Sequence, residues 1–458
     1  MHPILVSKVF FPLQEFIKRK PTYRFHRALE RSQWLAAEEL QTLQLRRLRE
    51  QLDYAEREVP YYHRLFEKLG IRPAEIKSLC DFLSVPHLDK EIVRAHAEDL
   101  QPRSKIAGTH RMSTGGSTGS PVAVYVDRER AAFTDAVRMR AQRWWGVDAG
   151  AREIALWGSP IELGRQDWLR NLRDRLVNSK FLAAFNMGEA QMGEYARFIQ
   201  RYRPVKMYGY ASAFYLLAEY LKNKNWRSPA ELKVIFATAE PLYDFQRRLV
   251  EDVFHCRVAV EYGARDAGLM ANECPEGGLH IPAEGMVIEI DAPDVTGLGE
   301  IVVTNLYSRA MPIIRYRTGD MGRLVDGICA CGRSLPRLDS VEGRRTDFLV
   351  TPSGRLLHAL AIIYPLRESP SIKQFQVVQE AIDKVIIKLV PEASFPAEER
   401  GRVVKQAQQV LGVGVTVTVE CVTAIPPLVS GKHRYVISKV ADDFVKNLSQ
   451  PAPVSSAI

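Results

Sequence analysis

The chain has 458 residues, 46% of them hydrophobic and 26% charged, which is the balance of an ordinary globular protein and excludes a disordered or fibrous one. No run reaches the ~18 uninterrupted apolar residues a helix needs to cross a bilayer, so an integral membrane protein is excluded as well. Net charge is +9, from 63 basic and 54 acidic residues. The two signs alternate along stretches such as RRLREQLDYAERE at 46–58, so the excess reads as solvated helix faces able to meet phosphate-bearing small substrates, and not as a nucleic-acid-binding stripe.

In chain order, the N-terminal MHPILVSKVFFPLQEFIKRK resembles a signal peptide only briefly. Pro3, Lys8, Pro12 and Glu15 interrupt its apolar region and no small-residue cleavage site follows, so it is read as an amphipathic lead-in and the protein as cytoplasmic. Leucines at 40, 43, 45, 48 and 52 among many charges predict a surface helix within 35–70, and residues 1–105 as a whole form a helical lead-in.

The sharpest local feature follows. Ser113, Thr114, Gly115, Gly116, Ser117, Thr118, Gly119, Ser120 and Pro121 combine three glycines and five hydroxyl residues, a loop rich in donors and free of bulk that suits phosphate binding. It is not a Walker loop, because no Lys and Ser or Thr follow the last glycine. Gly115 to Gly119 also fits the G-x-S-x-G of hydrolase nucleophile elbows, but that motif needs a helix after it, and the residues from Pro121 to Val126 read as a strand. Ser117 is therefore not expected to be a nucleophile.

The middle of the chain alternates helical stretches with short apolar runs. ELKVIFATAE places a strand at about 232–238, and the strand-like VAVEY leads into EYGARDAG, which argues for an α/β core with substantial sheet. Beyond residue 345 the texture changes: KQFQVVQE and KVIIKLV predict two strands around a turn at Asp383, 397–411 a helix, and VGVTVTVE a further strand. This is a small α+β domain, with a boundary near Gly343 that divides the chain into 1–343 and 344–458.

Six cysteines are too few for a disulfide scaffold. Cys80, Cys256 and Cys421 are isolated and read as inert packing residues. Cys274 and His280, with Cys329 and Cys331, make a soft four-ligand set that suits tetrahedral Zn²⁺ rather than Mg²⁺ or Ca²⁺, and a complete set suits a structural ion. Glycines beside both segments let the backbone turn tightly.

Taken together, these segments resemble the adenylate-forming superfamily, which includes acyl-CoA ligases. The Ser/Thr/Gly loop is similar to its pyrophosphate-contacting loop. Tyr208-Gly209-Tyr210-Ala211 and Ala237-Thr238-Ala239-Glu240-Pro241 are similar to the segments lining its acid pocket and adenine site. Glu261-Tyr262-Gly263-Ala264-Arg265-Asp266 resembles its Tyr-Gly-x-Thr-Glu, with Arg265 in place of Thr and Asp266 in place of Glu. Tyr316-Arg317-Thr318-Gly319-Asp320 matches its Tyr-x-Thr-Gly-Asp, Gly343-Arg344 the start of its hinge motif, and Gly431-Lys432 its C-terminal Gly-Lys. The matches span about 110 to 435, and the branch most similar in texture is the phenylacetate–CoA ligases, including members from capsular-polysaccharide clusters. VPYYHRLFEKLGI also looks like that branch, some members of which share the Cys₃His set.

The resemblance implies an α/β chain with a large adenylate-forming domain of mixed sheets and a small mobile α+β domain, hinged near Thr346–Asp347. It implies ATP-dependent activation of a carboxylic acid to an acyl-adenylate with release of pyrophosphate, then transfer to coenzyme A, with ATP and Mg²⁺ required. Lys432 would bridge the carboxylate and the α-phosphate; Asp320 would hold the ribose hydroxyls, Arg344 ribose or phosphate, Tyr262 the adenine and Asp266 the Mg²⁺. Two alternatives share the chain's features: an adenylating enzyme that passes the acyl group to an amine, a sugar or a carrier thiol, and a non-catalytic zinc-stabilised binding protein. The latter is disfavoured by the joint presence of Lys432, Asp320 and the phosphate loop. A homodimer is compatible with the sequence.

Overall fold

The structure is a computed structural model that describes residues 3–113, 122–157, 176–184, 187, 189–293, 296–344, 348–352, 356–358, 362, 366, 369, 371–392, 395–412, 414–426 and 435–440. It divides into two compact units, one of residues 1–289, 301–318 and 323–341, the other of 290–300, 319–322 and 342–458. The second unit thus takes in two short segments from before the expected boundary. Among the described residues no helix is long and apolar enough to cross a membrane.

The first unit opens with helices. A helical run covers 3–17, followed by α1 (Thr22–Ser32), α2 (Ala37–Glu58) and α3 (Pro60–Leu69). α2 starts where the Glu39 carboxylate accepts the Ala36 amide at 3.1 Å, and Gly70, at φ 64°, ends α3 with the left-handed turn that glycine adopts without strain. α2 is the surface helix its leucines predict, with its apolar stripe turned inward. Leu40, Leu48 and Leu52 are buried, and so are Gln44 and Gln51, whose amides donate to the carbonyls of Met286 (2.7 Å) and Ser308 (2.8 Å). The two glutamines on this face clamp it onto the body.

β1 (His110–Ser113) and β2 (Ala123–Val126) form an antiparallel pair with Ser113 opposite Ala123, so the Ser/Thr/Gly loop is carried between two paired strands. β2 is the strand expected after Pro121, where a hydrolase elbow would need a helix; residues 114–121 themselves lie outside the described residues. α4 (Arg128–Trp144) follows, its first turn capped by Asp127, whose carboxylate accepts the Arg130 amide at 2.8 Å.

Beyond α4 the chain alternates strand and helix: β3 (Glu153–Trp157), β4 (Ser179–Ala183), α5 (Glu189–Tyr202), β5 (Lys206–Tyr210), α6 (Ala211–Lys222), β6 (Val234–Thr238), α7 (Asp244–Phe254) and β7 (Arg257–Ala264). The five strands are parallel in the order β4-β3-β5-β6-β7. One face buries Ile154, Leu156, Met207, Ile235, Ala237 and Val258 with apolar residues of α5, α6 and α7; the other buries Val234, Phe236 and Ala259 beside Val147. Both faces being covered explains why β6 reads as the unbroken apolar run VIFAT. The sheet continues antiparallel through β8 (Gly268–Glu273) and β9 (Leu279–His280), and the sheet order runs on through β13 (Arg337–Arg344), β12 (Tyr316–Val325), β11 (Gly299–Asn305) and β10 (Met286–Asp291).

The second unit contains the hairpin β14 (Phe348–Val350) and β15 (Leu356–His358), and a four-stranded sheet of order β18-β17-β16-β19. Its strands are β16 (Ile372–Ala381), β17 (Lys384–Pro391), β18 (Thr416–Cys421) and β19 (Val436–Ser438), with α8 (Ala397–Leu411) between β17 and β18. Gln379, fully buried on β16, ties the pieces together: its amide exchanges hydrogen bonds with both backbone groups of Val350 (2.9 and 2.7 Å) and accepts the Ser438 hydroxyl at 2.9 Å.

Candidate active site and metal centre

The parallel strands end in register: Tyr210 lies opposite Thr238, and Thr238 opposite Glu261. Chain direction across the sheet reverses after β4, so β3 and β5 are neighbours whose onward connections diverge. In open α/β sheets such a switch point, at the carboxyl ends of the strands, is where ligands bind. The expected Tyr208–Ala211, Ala239–Pro241 and Glu261–Gly263 segments all lie at these ends. At the switch point itself Trp157 of β3 stacks on Tyr210 (4.3 Å between ring centroids) and on Tyr208 (5.7 Å) of β5. Phe214 of α6 is buried in the apolar core behind them.

Backbone geometry fits these segments to a site. Gly209 lies against β3 so closely that a β-carbon would clash with the carbonyl oxygen of Leu156. Ala239, just past β6, is held at φ 65°, a left-handed conformation that costs an alanine of order 1 kcal/mol and is found where surrounding structure over-determines a turn. The next residue, Glu240, accepts the Ser212 amide at 3.0 Å, so its carboxylate sits at the positive N-terminus of α6. Ala211 begins that helix and is buried.

Glu261 is almost fully buried and is not free to act alone. Arg138 of α4 grips it through Nε (2.9 Å) and Nη2 (2.8 Å), and the Tyr208 hydroxyl donates to it at 2.9 Å. Burial and Glu261 push the Tyr208 pKa up, keeping the phenol neutral and a donor. Burial alone would lower the pKa of Arg138, but Glu261 raises it well above its ordinary value, so the guanidinium stays charged. It also lies over the Tyr208 ring, 5.5 Å from the centroid. The result is a fixed cation and phenol beside the aromatic stack.

Asp266, expected at the Mg²⁺, is held by its own neighbours. It is buried, its Oδ2 accepts the Tyr316 hydroxyl at 2.7 Å and its Oδ1 the Ala267 amide at 3.0 Å. Arg130, also buried, donates to the carbonyls of Asp266 (2.7 Å) and Arg265 (3.2 Å), and burial drops its pKa to about 10. A carboxylate so engaged fixes Tyr316 and the turn before β8, and each of its oxygens keeps a further lone pair for a cation or its bound water. Tyr316, expected only as part of a nucleotide motif, is its partner.

The other expected residues are distributed as follows. Ser113 ends β1, and Arg344 ends β13. Asp320 lies on β12, next to Gly319, whose left-handed turn (φ 80°) directs its amide to the Glu300 carboxylate at 3.1 Å. Tyr262 and Gly263 lie half-buried on β7. Residues 114–120, 346–347, Gly431 and Lys432 lie outside the described residues. Arg138, Arg130 and Asp127 escaped the sequence reading. Only Asp127 carried a local signal, as an N-cap residue ahead of a helix.

The Cys/His set does converge. Ligand atoms of Cys274, His280, Cys329 and Cys331 all lie within 4.8 Å of one another. Cys274 Sγ and Cys329 Sγ are 3.8 Å apart, and Cys331 Sγ is 3.2 Å from His280 Nε2. A tetrahedral Zn²⁺ with bonds of about 2.3 Å to sulfur and 2.0 Å to nitrogen requires separations of about 3.8 and 3.5 Å, so the donors fit the ion. His280 Nδ1 lies 3.3 Å from the Leu335 carbonyl, which turns Nε2 to the thiols. Burial lowers the His280 pKa to about 4 and raises that of Cys274 to about 12, so without an ion the imidazole is neutral and the thiol protonated. Gly277 and Gly332 make left-handed turns (both φ 78°), and a β-carbon on Gly278 would stand 2.7 Å from Cys329 Sγ. Of the isolated thiols, Cys256 is half-buried, with its pKa raised to about 12 by burial; Cys80 and Cys421 are exposed and do not pack as expected.

Comparison with known proteins agrees with this geometry. Residues 349–439 match the family described as the CapK C-terminal domain. The chain is 30% identical to phenylacetate–coenzyme A ligase of Thermus thermophilus over 333 residues, 69% of this chain and 73% of that one. It is 22% identical to protein CapK of Staphylococcus aureus over 449 residues, 96% and 98% of the two chains. Its fold is that of a 2-hydroxyisobutyryl-CoA ligase solved in the postadenylation state with an acyl-AMP, with a TM-score of 0.72 at 22% identity over 92% of this chain and 94% of that one. A switch-point site at the ends of β3, β5, β6 and β7, together with a relative of this identity over this length, makes the chain a member of the phenylacetate–coenzyme A ligase family of adenylate-forming enzymes.

Proposed function

We propose that the protein activates a small carboxylic acid with ATP, forming an acyl-adenylate and pyrophosphate, and then passes the acyl group to coenzyme A. The observation that carries this is the alignment of the acid-pocket and adenine-site segments at the carboxyl ends of β5, β6 and β7, beside the switch point, in a chain of this family.

In adenylation two anions meet and charge grows on the α-phosphate oxygens, so catalysis is positioning plus electrostatic stabilisation. Lys432 would neutralise that charge, and the loop Ser113 to Gly119, carried between β1 and β2, would hold the departing pyrophosphate. Asp320 and Arg344 would hold the ribose and phosphate, and Tyr262 with Ala239, Glu240, Pro241 and Gly263 the adenine. Tyr208, Gly209, Tyr210 and Ala211 would line the acid pocket, with Arg138 and Glu261 fixing the Tyr208 phenol. The small C-terminal domain would then turn about 346–347 to admit the thiol. An activity that draws on ATP and coenzyme A would suit the cytoplasm. Asp266, whose carboxylate also accepts the Tyr316 hydroxyl, would help hold the Mg²⁺ that accompanies ATP.

Zinc, when bound by Cys274, His280, Cys329 and Cys331, would supply structural cross-linking: four protein ligands leave no open position for catalysis. A panel of carboxylic acids assayed by pyrophosphate release, with and without coenzyme A, tests the reading. Acid-dependent release followed by thioester formation supports it; release with transfer only to an amine or sugar, or no release with any acid, overturns it.

A further inference from the structure

The helical run 3–17 is docked by one side only. Val6 is fully buried, the Glu15 carboxylate accepts the Thr22 hydroxyl, and the Tyr23 hydroxyl donates to the Ser7 carbonyl at 2.7 Å. Phe11 packs edge-on against Tyr23, and Lys20 pairs with Asp135 of α4. The opposite side presents Leu5 (43% exposed), Val9 (48%), Leu13 (51%), Phe16 (81%) and Ile17 (71%). These are five of the twelve exposed large apolar side chains among the described residues, gathered in fifteen positions at near-helical spacing.

Charge is concentrated in the same segment. Residues 1–34 hold seven Lys and Arg against two Glu, so about one-thirteenth of the chain carries +5 of its net +9. Of the two acids, Glu15 is buried and Glu30 is half-buried, paired with Arg143 at 3.4 Å beside the His26 imidazole. Lys8, Lys18, Arg19, Arg24, Arg27 and Arg31 are exposed. An apolar helix face flanked by exposed cations, with no exposed acid among them, meets the two requirements of interfacial binding: apolar area to enter the headgroup region and positive charge to meet anionic lipid.

We infer that the 3–17 helix and its basic flank dock the protein peripherally on the surface of an anionic lipid bilayer. Charge selects this occupant over a second copy of the chain, since a two-fold contact through this face would bring two +5 segments together.

The test is co-sedimentation of the full-length protein with large unilamellar vesicles, either of phosphatidylcholine alone or with phosphatidylglycerol added, at ~0.1 M and ~0.5 M salt. The protein should bind the anionic vesicles, bind the neutral ones weakly, and release at the higher salt. Phe16→Ser with Ile17→Ser should weaken partitioning by about tenfold or more. Lys18→Glu with Arg19→Glu, on exposed positions, should do so by at least about tenfold and provides a second arm if the first variant unfolds. Both variants should keep the wild-type melting temperature and pyrophosphate release. Equal binding to neutral and anionic vesicles, or binding unchanged in both variants, overturns the inference. So does a protein that ignores all vesicles while Phe16→Ser with Ile17→Ser converts an oligomer to a monomer, which makes the face a protein interface.

Discussion

α4 carries two arginines two positions apart, Arg138 and Arg140, and each pairs with a glutamate more than a hundred residues away. The pairs differ in their surroundings. Arg140 and Glu284 are both 1% exposed, 2.5 Å apart, with Glu284 also accepting the Ser32 hydroxyl at 2.7 Å; Arg140 Nε and Glu284 Oε2 are buried without a hydrogen bond. Arg138 is 34% exposed although Glu261 is only 4% exposed, and it faces the strand-end site with Tyr208. Residues two apart lie about 200° around a helix, so one helix presents a closed pair to one neighbour and an open pair to another. A closed pair can only hold the fold, at a desolvation cost that it offsets incompletely. An open one remains within reach of water and ligand.

The strongest way to break this comparison is Glu284→Gln, which leaves Arg140 buried without its counter-ion. Stability should fall by about 3–5 kcal/mol, read as a lower denaturant midpoint, while pyrophosphate release per folded molecule stays unchanged. Arg140→Met with Glu284→Leu should recover most of that loss; a double variant no better than the single one would show that the pair itself is favourable.

Lys432→Ala separates chemistry from either pair. Acid-dependent pyrophosphate release should fall by about 10²–10³, or roughly 3–4 kcal/mol of transition-state stabilisation, with ATP binding and thioester formation from supplied acyl-adenylate preserved. Undiminished adenylation would remove Lys432 from the mechanism.

Glu261→Gln sharpens the contrast from the other side. Arg138 can rehydrate, so stability should change by less than about 1 kcal/mol. kcat/KM for the acid should drop by about ten- to a hundredfold as Tyr208 and Arg138 lose their anchor, an effect of roughly 1–3 kcal/mol. A variant that loses stability and keeps its kinetics would make this pair structural like the other.

The smallest effect should follow Cys329→Ser. Zinc content should fall from one per chain to well below it, and the melting temperature by several degrees, with activity falling only as the fold does. Zinc content and melting temperature both unchanged would exclude Cys329 as a ligand.

Whether a feature could be seen in the sequence depended on how local its physics is. The 397–411 helix and the turn at Asp383 match the structure because propensity and periodicity act over a few residues. The Cys/His set was visible because soft ligands with adjoining glycines have few other uses. Gln44, Gln51, Arg138 and Arg140 were hidden because each acquires its meaning from a partner far along the chain, and an arginine that will be buried reads no differently from one that stays solvated. The hydrogen bond between Asp266 and Tyr316 was hidden for the same reason: the partners lie 50 residues apart.

One cation–π arrangement gives the protein a built-in optical probe. Arg333, two residues past Cys331, lies 4.6 Å from the ring of Trp144 and 4.9 Å from that of Trp34, and Trp144 stands edge-on to His280 at 5.5 Å. Indole emission responds to a charge held over its face, and Arg333 is covalently tied to the Cys329–Cys331 turn. In the zinc-bound form proposed above, stripping the ion should let that turn loosen and the guanidinium leave the two rings. Intrinsic fluorescence would then follow metal loading in an unlabelled sample, well before the chain as a whole unfolds.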